Sequence, residues 1–290
     1  IPRGAPRGGV SSGNPRFKLI FTSGASESNA QIIQMTTSAY RENVGVPHVV
    51  ISAIEHKSIH SMIQSLESRG LIECSYVQPM PSGSVCPDDV AAAIRENTCL
   101  VSVMQANNET GAINDVHAIG NLCHKRNVPF HTDVVQSFGK MPLEPGDSID
   151  AFSVSFHKIY GPPGVGLLAI REAFYDGFRL QPVIHGSQNM HIRGGTENIP
   201  GLAASFSACK LALANRRQKN NDMMELRDRF IAAVRKTKIP LIPYTRYIEA
   251  PPNGVCIVTF TGTRGYLPHT MLISLVKPFE PYACNAEMKS

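Results

Sequence analysis

The chain has 290 residues, 42% of them apolar and 18% charged, with 28 Lys and Arg against 23 Asp and Glu. This is globular composition with enough apolar side chains for a large core, and it excludes a disordered chain. The formal charge of +5 is concentrated at the start, where Arg3, Arg7, Arg16 and Lys18 stand without an acid, so the remainder lacks the basic face of a nucleic-acid-binding protein.

Residues 1–14, made of Gly, Pro, Ser and Arg among others, read as a flexible tail, and segment 1–17 is expected to stand apart as a basic leader. An apolar run at 18–22 predicts a strand, followed by a helix near 27–41. A strand at 48–52 precedes a helix over 57–69, and a strand at 72–77 precedes a short helix opening at Pro87. A strand at 100–104 precedes a helix at 116–126, and strands at 129–132, 151–155 and 165–170 come next. Short continuous apolar runs alternating with helices predict an α/β fold with a mostly parallel sheet covered on both faces. The pattern then changes. Residues 202–236 read as one long helix, apolar at Leu202, Phe206, Leu211, Leu213, Met224, Phe230 and Val234. Pro240, Pro243, Pro251 and Pro252 interrupt the next stretch, before a strand at 255–260 and a helix at 269–276. The expected division is a large domain over 18–215 and a partial small domain over 216–290.

No apolar run reaches the ~18 residues of a membrane span, and no signal peptide opens the chain. Seven scattered cysteines without a C-x-x-C pair indicate neither a zinc site nor a disulfide framework. Free thiols point to a reducing compartment, so a cytoplasmic protein is expected.

Ligands of open α/β sheets bind at the carboxyl ends of strands. Five segments at such positions carry polar residues that a core does not want: 22–29 (TSGASESN), 55–56 (EH), 107–111 (NNETG), 131–136 (HTDVVQ) and 155–158 (SFHK). In the first, small residues at a strand-to-helix turn let backbone N–H groups approach an anion, and Ser26 adds a hydroxyl. The competing reading makes Ser26 or Ser28 an ordinary N-cap. Asp133 at a strand end suits a protonated ring nitrogen, a metal or an Arg, or caps the next turn, and Gln136 lies near enough to touch the same ligand. Lys158, after an apolar strand and before a Gly/Pro loop, is placed to enter a pocket and form a Schiff base; as a bland alternative it is a solvated surface Lys.

With IEH at 54–56, SFHKIYGPPGVG at 155–166 and RGGTEN at 193–198, six motifs stand in one order from residue 18 to about 200. In that order and spacing the chain resembles the cysteine desulfurase/selenocysteine lyase family, the NifS-like proteins of class-V aminotransferase type. The resemblance implies the pyridoxal-phosphate (PLP) transferase fold of type I, with a seven-stranded sheet flanked by helices and a small α+β domain that is incomplete here. It implies that Lys158 carries PLP, that Asp133 keeps the pyridine nitrogen protonated, and that His56 stacks on the ring and takes part in proton transfer. Gln136 faces the ring hydroxyl, and Asn108 the ring hydroxyl and the substrate carboxylate. Ser26, Ser155 and His157 bind the phosphate with the backbone of Gly24, Ala25 and Ser26. Thr196 reaches the phosphate of a neighbouring subunit, so a homodimer is implied. Glu109 and Gly111 shape their loop.

By the same resemblance Cys284 is the nucleophile, turning L-cysteine to L-alanine and keeping the sulfur as a persulfide for an acceptor protein, in the service of iron–sulfur cluster assembly. The other cysteines read as packing residues. Ser26 stands where the family has Thr, and Glu-Pro-Tyr precedes Cys284 where it has small residues. The family's N-terminal segment and its substrate-clamping Arg find no counterpart. Two readings stay open: 290 residues that omit parts of a natural chain, or a divergent member such as a large DNA virus carries. The alternatives in function are a selenocysteine lyase and an impaired NifS-like scaffold acting through partners.

Overall fold

The structure, a computed structural model, describes residues 16–236, 241–243, 256–259, 265–271 and 273–276. One sheet holds β1 (Phe17–Thr22), β2 (His48–Ser52), β3 (Glu73–Val77), β4 (Thr98–Ser102), β5 (Phe130–Asp133), β6 (Ala151–Ser155) and β7 (Gly166–Arg171). Its order is β1-β7-β6-β5-β4-β2-β3. β3, β2, β4, β5 and β6 pair in parallel, whereas β7 pairs antiparallel with both β6 and β1. Only β7 therefore runs against the rest, and the expected mostly parallel seven-stranded sheet is what forms.

Alternation along the strands explains the layers. In β2, Val49 and Ile51 pack on Ile32, Ile33 and Met35 of α1 (Ala25–Asn43) and on Ile59 and Ile63 of α2 (Lys57–Ser68). The intervening Val50 points the other way, into a cluster with Val90 of α3 (Pro87–Ala93) and Val116 and Ile119 of α4 (Val116–Lys125). β7 does the same, with Leu168 and Ile170 on the α1 side and Leu167 and Ala169 opposite. Each fully buried Val, Ile or Leu contributes about 1.5–3 kcal/mol, and such strands read as unbroken apolar runs because both faces are covered.

Three expectations are corrected. The stretch read as one helix is two, α6 (Ile199–Ala214) and α7 (Arg216–Arg235), separated at Asn215, which leaves helical geometry at φ −98°, ψ 6°. Its side chain donates to the Leu211 carbonyl at 3.0 Å, the same oxygen its own N–H uses. Of the apolar residues assigned to that helix, Val234 is buried and Leu202 packs on the core, while Phe206, Leu211, Leu213, Met224 and Phe230 are exposed. The helix expected over 269–276 ends instead in a strand, β10 (Ile273–Val276), antiparallel to β9 (Cys256–Thr259). Pro243, expected as a breaker, closes strand β8 (Leu241–Pro243), parallel to β9. Helix α5 (Glu172–Phe178) is an addition to the expected elements. β8, β9 and β10 form a three-stranded sheet of order β10-β9-β8, and a segment between β9 and β10 is tied to the first sheet's loops: the Ile113 N–H donates to the Gly265 carbonyl at 2.8 Å, and the Leu267 N–H to the Gly111 carbonyl at 2.7 Å.

Among the described residues no helix is long and apolar enough to cross a membrane. Cys99 and Cys123 are buried, and Cys74, Cys86 and Cys209 are half-buried free thiols. The leading tail at 1–15 and Cys284 with its loop lie outside the described residues.

Candidate active site

The carboxyl ends of β1, β2, β4, β5 and β6 share one edge of the sheet with the start of β7. There they enclose a cavity of about 410 Å³ lined by Ser23–Glu27, Asn29, His56, Ser58, Met104, Asn108, Asp133, Val135, Gln136, Ser155, His157, Lys158, Pro163 and Gly164. All five polar segments singled out in the sequence reach this one space. Of the expected site residues, Ala25, Ser26, His56, Asn108, Asp133, Gln136, Ser155, His157 and Lys158 line it. Thr196 does not. It is exposed and borders an adjoining cleft with Arg193, Glu197 and Asn198.

The turn from β1 into α1 is capped at Gly24, with no side-chain hydrogen bond at the cap. Neither Ser26 nor Ser28 is the N-cap. Ser28 is buried and bonds Thr22 Oγ1 at 2.8 Å. The first backbone N–H groups of the 19-residue helix α1 therefore have no side-chain cap competing for them, and they sit beside the Ser26 hydroxyl at the cavity wall. This is the local chemistry of an anion site. Gly166 makes the close approach possible, since a Cβ there would stand 2.5 Å from Gly24 Cα. Ser155, whose Oγ lies next to Gly24 of this turn, has that oxygen 2.9 Å from His157 Nδ1. Burial, and then the charge of Lys158, hold the His157 imidazole below its ordinary range.

Asp133 ends β5 and is 4% exposed. Its Oδ2 accepts from Asn29 Nδ2 at 2.8 Å and its Oδ1 from the Val135 N–H at 2.9 Å. The second bond is the local turn contact that the sequence allows for, and the first is a contact the sequence does not reveal. Burial pushes the carboxyl up, against the opposing effects of Asn29, Val135 and the nearby His56. No cation pairs with it among the described residues, so a buried carboxylate faces the cavity with room for a cationic group on a ligand. Asn29 also donates to Ser58 Oγ at 3.2 Å, and its own Oδ1 is buried without a partner. Ser58 in turn contacts His56 Nδ1 at 2.9 Å through its hydroxyl and 3.1 Å through its N–H. His56 is thus the N-cap of α2 as well as a wall of the cavity.

Lys158 sits in the single 3-10 turn Phe156–Ile159 after β6, closed by Tyr160 in the left-handed region at φ 68°. It is exposed to the cavity and has no hydrogen-bond or ion-pair partner among the described residues. Asn107, adjacent to Asn108, organises its loop: its Oδ1 accepts the N–H groups of Glu109 and Thr110, and its Nδ2 donates to the Ile54 carbonyl. Gly111, at φ 74°, lets that loop turn against Thr270.

Two residues lie in the singled-out segments 22–29 and 55–56 without a role assigned from the sequence. Asn29 stands three residues after Ser26 on α1, a spacing that places both on one helix face. Glu55, beside His56, is buried. It accepts the Ser52 hydroxyl and the Met104 N–H, and burial raises it to about 8.

The sequence profile of the family described as "Aminotransferase class-V" matches residues 12–274. A cysteine desulfurase IscS of Dictyoglomus turgidum is 37% identical over 221 residues, covering 76% of this chain and 54% of that protein. A solved NifS-like protein superposes with a TM-score of 0.76 at 29% identity, covering 89% of this chain and 65% of the other. A structure described as SspA in complex with cysteine gives a TM-score of 0.62 at 38% identity, covering 67% and 55%. The chain thus spans between half and two thirds of the proteins it matches.

Proposed function

Because the chain belongs to the class-V aminotransferase family, we propose that it binds PLP and acts as a cysteine desulfurase, converting L-cysteine to L-alanine and retaining the sulfur. The observation that carries this reading is the convergence of Lys158, Asp133, His56 and an uncapped helix start on one 410 Å³ cavity. The donor set fits the cofactor. The orphaned buried Oδ1 of Asn29 and the buried Asp133, which no cation pairs among the described residues, mark a wall built for a polar ligand, and the α1 turn suits a phosphate.

When bound, PLP supplies an electron sink for negative charge developing at the substrate α-carbon. The chain's residues do the rest. Ser26, Ser155, His157 and the backbone at Ala25 and Ser26 hold the phosphate. Asp133 holds a proton on the ring nitrogen, and Gln136 donates to the ring hydroxyl oxygen. His56 covers one ring face, and Asn108 meets the substrate carboxylate. Lys158 Nζ would hold the ring through its amine and would carry the proton of the substrate α-carbon. The Cys284 thiolate attacks the substrate sulfur. The carbon–sulfur bond breaks with its electrons left on the carbon skeleton, which is protonated to alanine, and Cys284 keeps the sulfur as a persulfide. Cysteine is also what the structure of SspA is described as binding. Thr196, outside its own chain's cavity, serves the phosphate site of a second copy in a homodimer.

The test is the amino-acid product. Alanine released stoichiometrically with sulfur from cysteine, and lost in Cys284→Ser, is expected. PLP-loaded protein that releases no alanine overturns the assignment.

A further inference from the structure

Glu27 places a carboxylate in the first turn of α1, on the wall of the cavity, one residue from Ser26. This is an awkward place for it. The helix field that attracts an anionic ligand also attracts a carboxylate, and an unbalanced carboxylate there repels a phosphate dianion. Arg193 meets it in a fork, Nε to Oε1 at 2.8 Å and Nη2 to Oε2 at 3.2 Å. The remaining capacity of Glu27 is taken by the Ser23 N–H at 2.7 Å and Gln31 Nε2 at 2.7 Å. The two side chains of the pair are only 20% and 15% exposed.

The loop that delivers Arg193 is itself pinned. Asn189 Oδ1 accepts the N–H of Phe21 on β1 at 3.2 Å, the Asn189 N–H donates to Glu197 Oε1 at 3.2 Å, and Gln188 Oε1 accepts the Gly195 N–H at 2.9 Å. Asn189, Met190 and His191 hold φ values of 45°, 57° and 61° in succession. Three non-glycine residues in the left-handed region persist only where their surroundings over-determine them.

We infer that Arg193 is a positioning residue acting through Glu27: it neutralises that carboxylate, so that the first turn of α1 accepts a phosphate dianion. This rests on the PLP reading above for the identity of the phosphate, and not for the clamp itself. Burial opposes the charge on Glu27, yet the bonds from Arg193 and Ser23 outweigh it and hold the carboxyl below its ordinary range. The carboxylate is therefore ionised at neutral pH and depends on Arg193 for its balance. The same loop carries Thr196, so one ion pair ties the chain's own anion turn to the residue offered to a second copy.

The test uses the full chain and its variants Arg193→Gln, Glu27→Gln and the double variant, each titrated with PLP and separately with inorganic phosphate. Arg193→Gln is expected to weaken both by about tenfold. Glu27→Gln, which still accepts the Ser23 N–H, binds at least as tightly as the native chain. The double variant returns to within about threefold of the native value. A clamp that only holds the loop in shape predicts the opposite: both single variants weaken alike and the double is no better. That pattern overturns the inference, as does an Arg193→Gln variant that binds like the native chain; in both cases native loading with PLP leaves the cofactor reading standing. A native chain that binds phosphate with the expected variant pattern but takes no PLP upholds the clamp and removes the cofactor. A native chain that binds neither overturns both.

Discussion

Asn29 donates from one amide nitrogen to Asp133 Oδ2 at 2.8 Å and to Ser58 Oγ at 3.2 Å, joining α1, β5 and the start of α2 at the cavity wall. Ser58 continues the chain to His56 Nδ1. One amide thus links Asp133 directly, and His56 through Ser58. Asn29→Ala removes a hydrogen bond to a buried charge, which is worth about 1.5–3 kcal/mol. The expected result is PLP binding weakened by roughly tenfold or more, read by titration of the apo-protein. Affinity unchanged from the native chain would show that Asp133 needs no help from Asn29.

Gly166→Ala tests the packing beneath the anion turn. A Cβ there stands 2.5 Å from Gly24 Cα and 2.6 Å from its carbonyl carbon, both backbone atoms, so the β1–α1 turn must move. A loss of about 1–3 kcal/mol in denaturant unfolding is expected, with PLP affinity falling in parallel. Alanine accepted without cost at this position would mean that β7 and the turn separate freely.

Glu55 gives a prediction with a sign. Burial raises its folded-state value from 4.5 to about 8, so the folded chain keeps a proton through a range in which the unfolded chain has lost it. Its contribution therefore declines as pH rises from 4.5 to about 8. Glu55→Gln removes that decline while keeping an acceptor for the Met104 N–H. Unfolding measured across this range should show the variant gaining on the native chain as pH increases, by up to about 1.4 kcal/mol per unit. A constant difference between the two would place the native carboxyl in its ordinary range.

His131 runs the other way. It is fully buried between Ser102 Oγ at 2.8 Å and Ser153 Oγ at 2.9 Å, and burial lowers it from 6.5 to about 3. The unfolded chain takes up a proton below 6.5 and the folded chain does not, so stability present above 6.5 is lost as pH falls toward 3. His131→Gln should flatten this acid limb of the stability curve. An unchanged slope would assign the proton uptake elsewhere, with His48, lowered to about 4, as the next residue to change.

The parts of the fold legible in the sequence are those where local pattern and tertiary demand agree. The bounds of β2 and β6 match the expected 48–52 and 151–155, because strands covered on both faces carry consecutive apolar residues, here Val49–Ile51 and Ala151–Phe152 with Val154. The four-residue run of β10 reads as helix because periodicity cannot separate so short an apolar run from a helical turn. The break at Asn215 is invisible for a related reason: helical apolar spacing continues on both sides of it, while its side chain shares the Leu211 carbonyl with its own N–H where the helix stops. At the site, Asp133, Lys158 and His56 stand out as polar residues at the ends of apolar strands. Arg193 and Glu27 each fall within a singled-out segment, but their pairing is not legible, since they lie 166 positions apart and meet only when the loop after α5 folds back on α1.

The measurement that bears most directly on the whole account is borohydride reduction of the PLP-treated chain, with mass mapping of its lysines. The account predicts one phosphopyridoxyl group, on Lys158, and none in a sample reduced after Lys158→Ala. Modification centred on another lysine, such as the half-buried Lys140 whose amine burial lowers to about 8, or no modification at all, would contradict it.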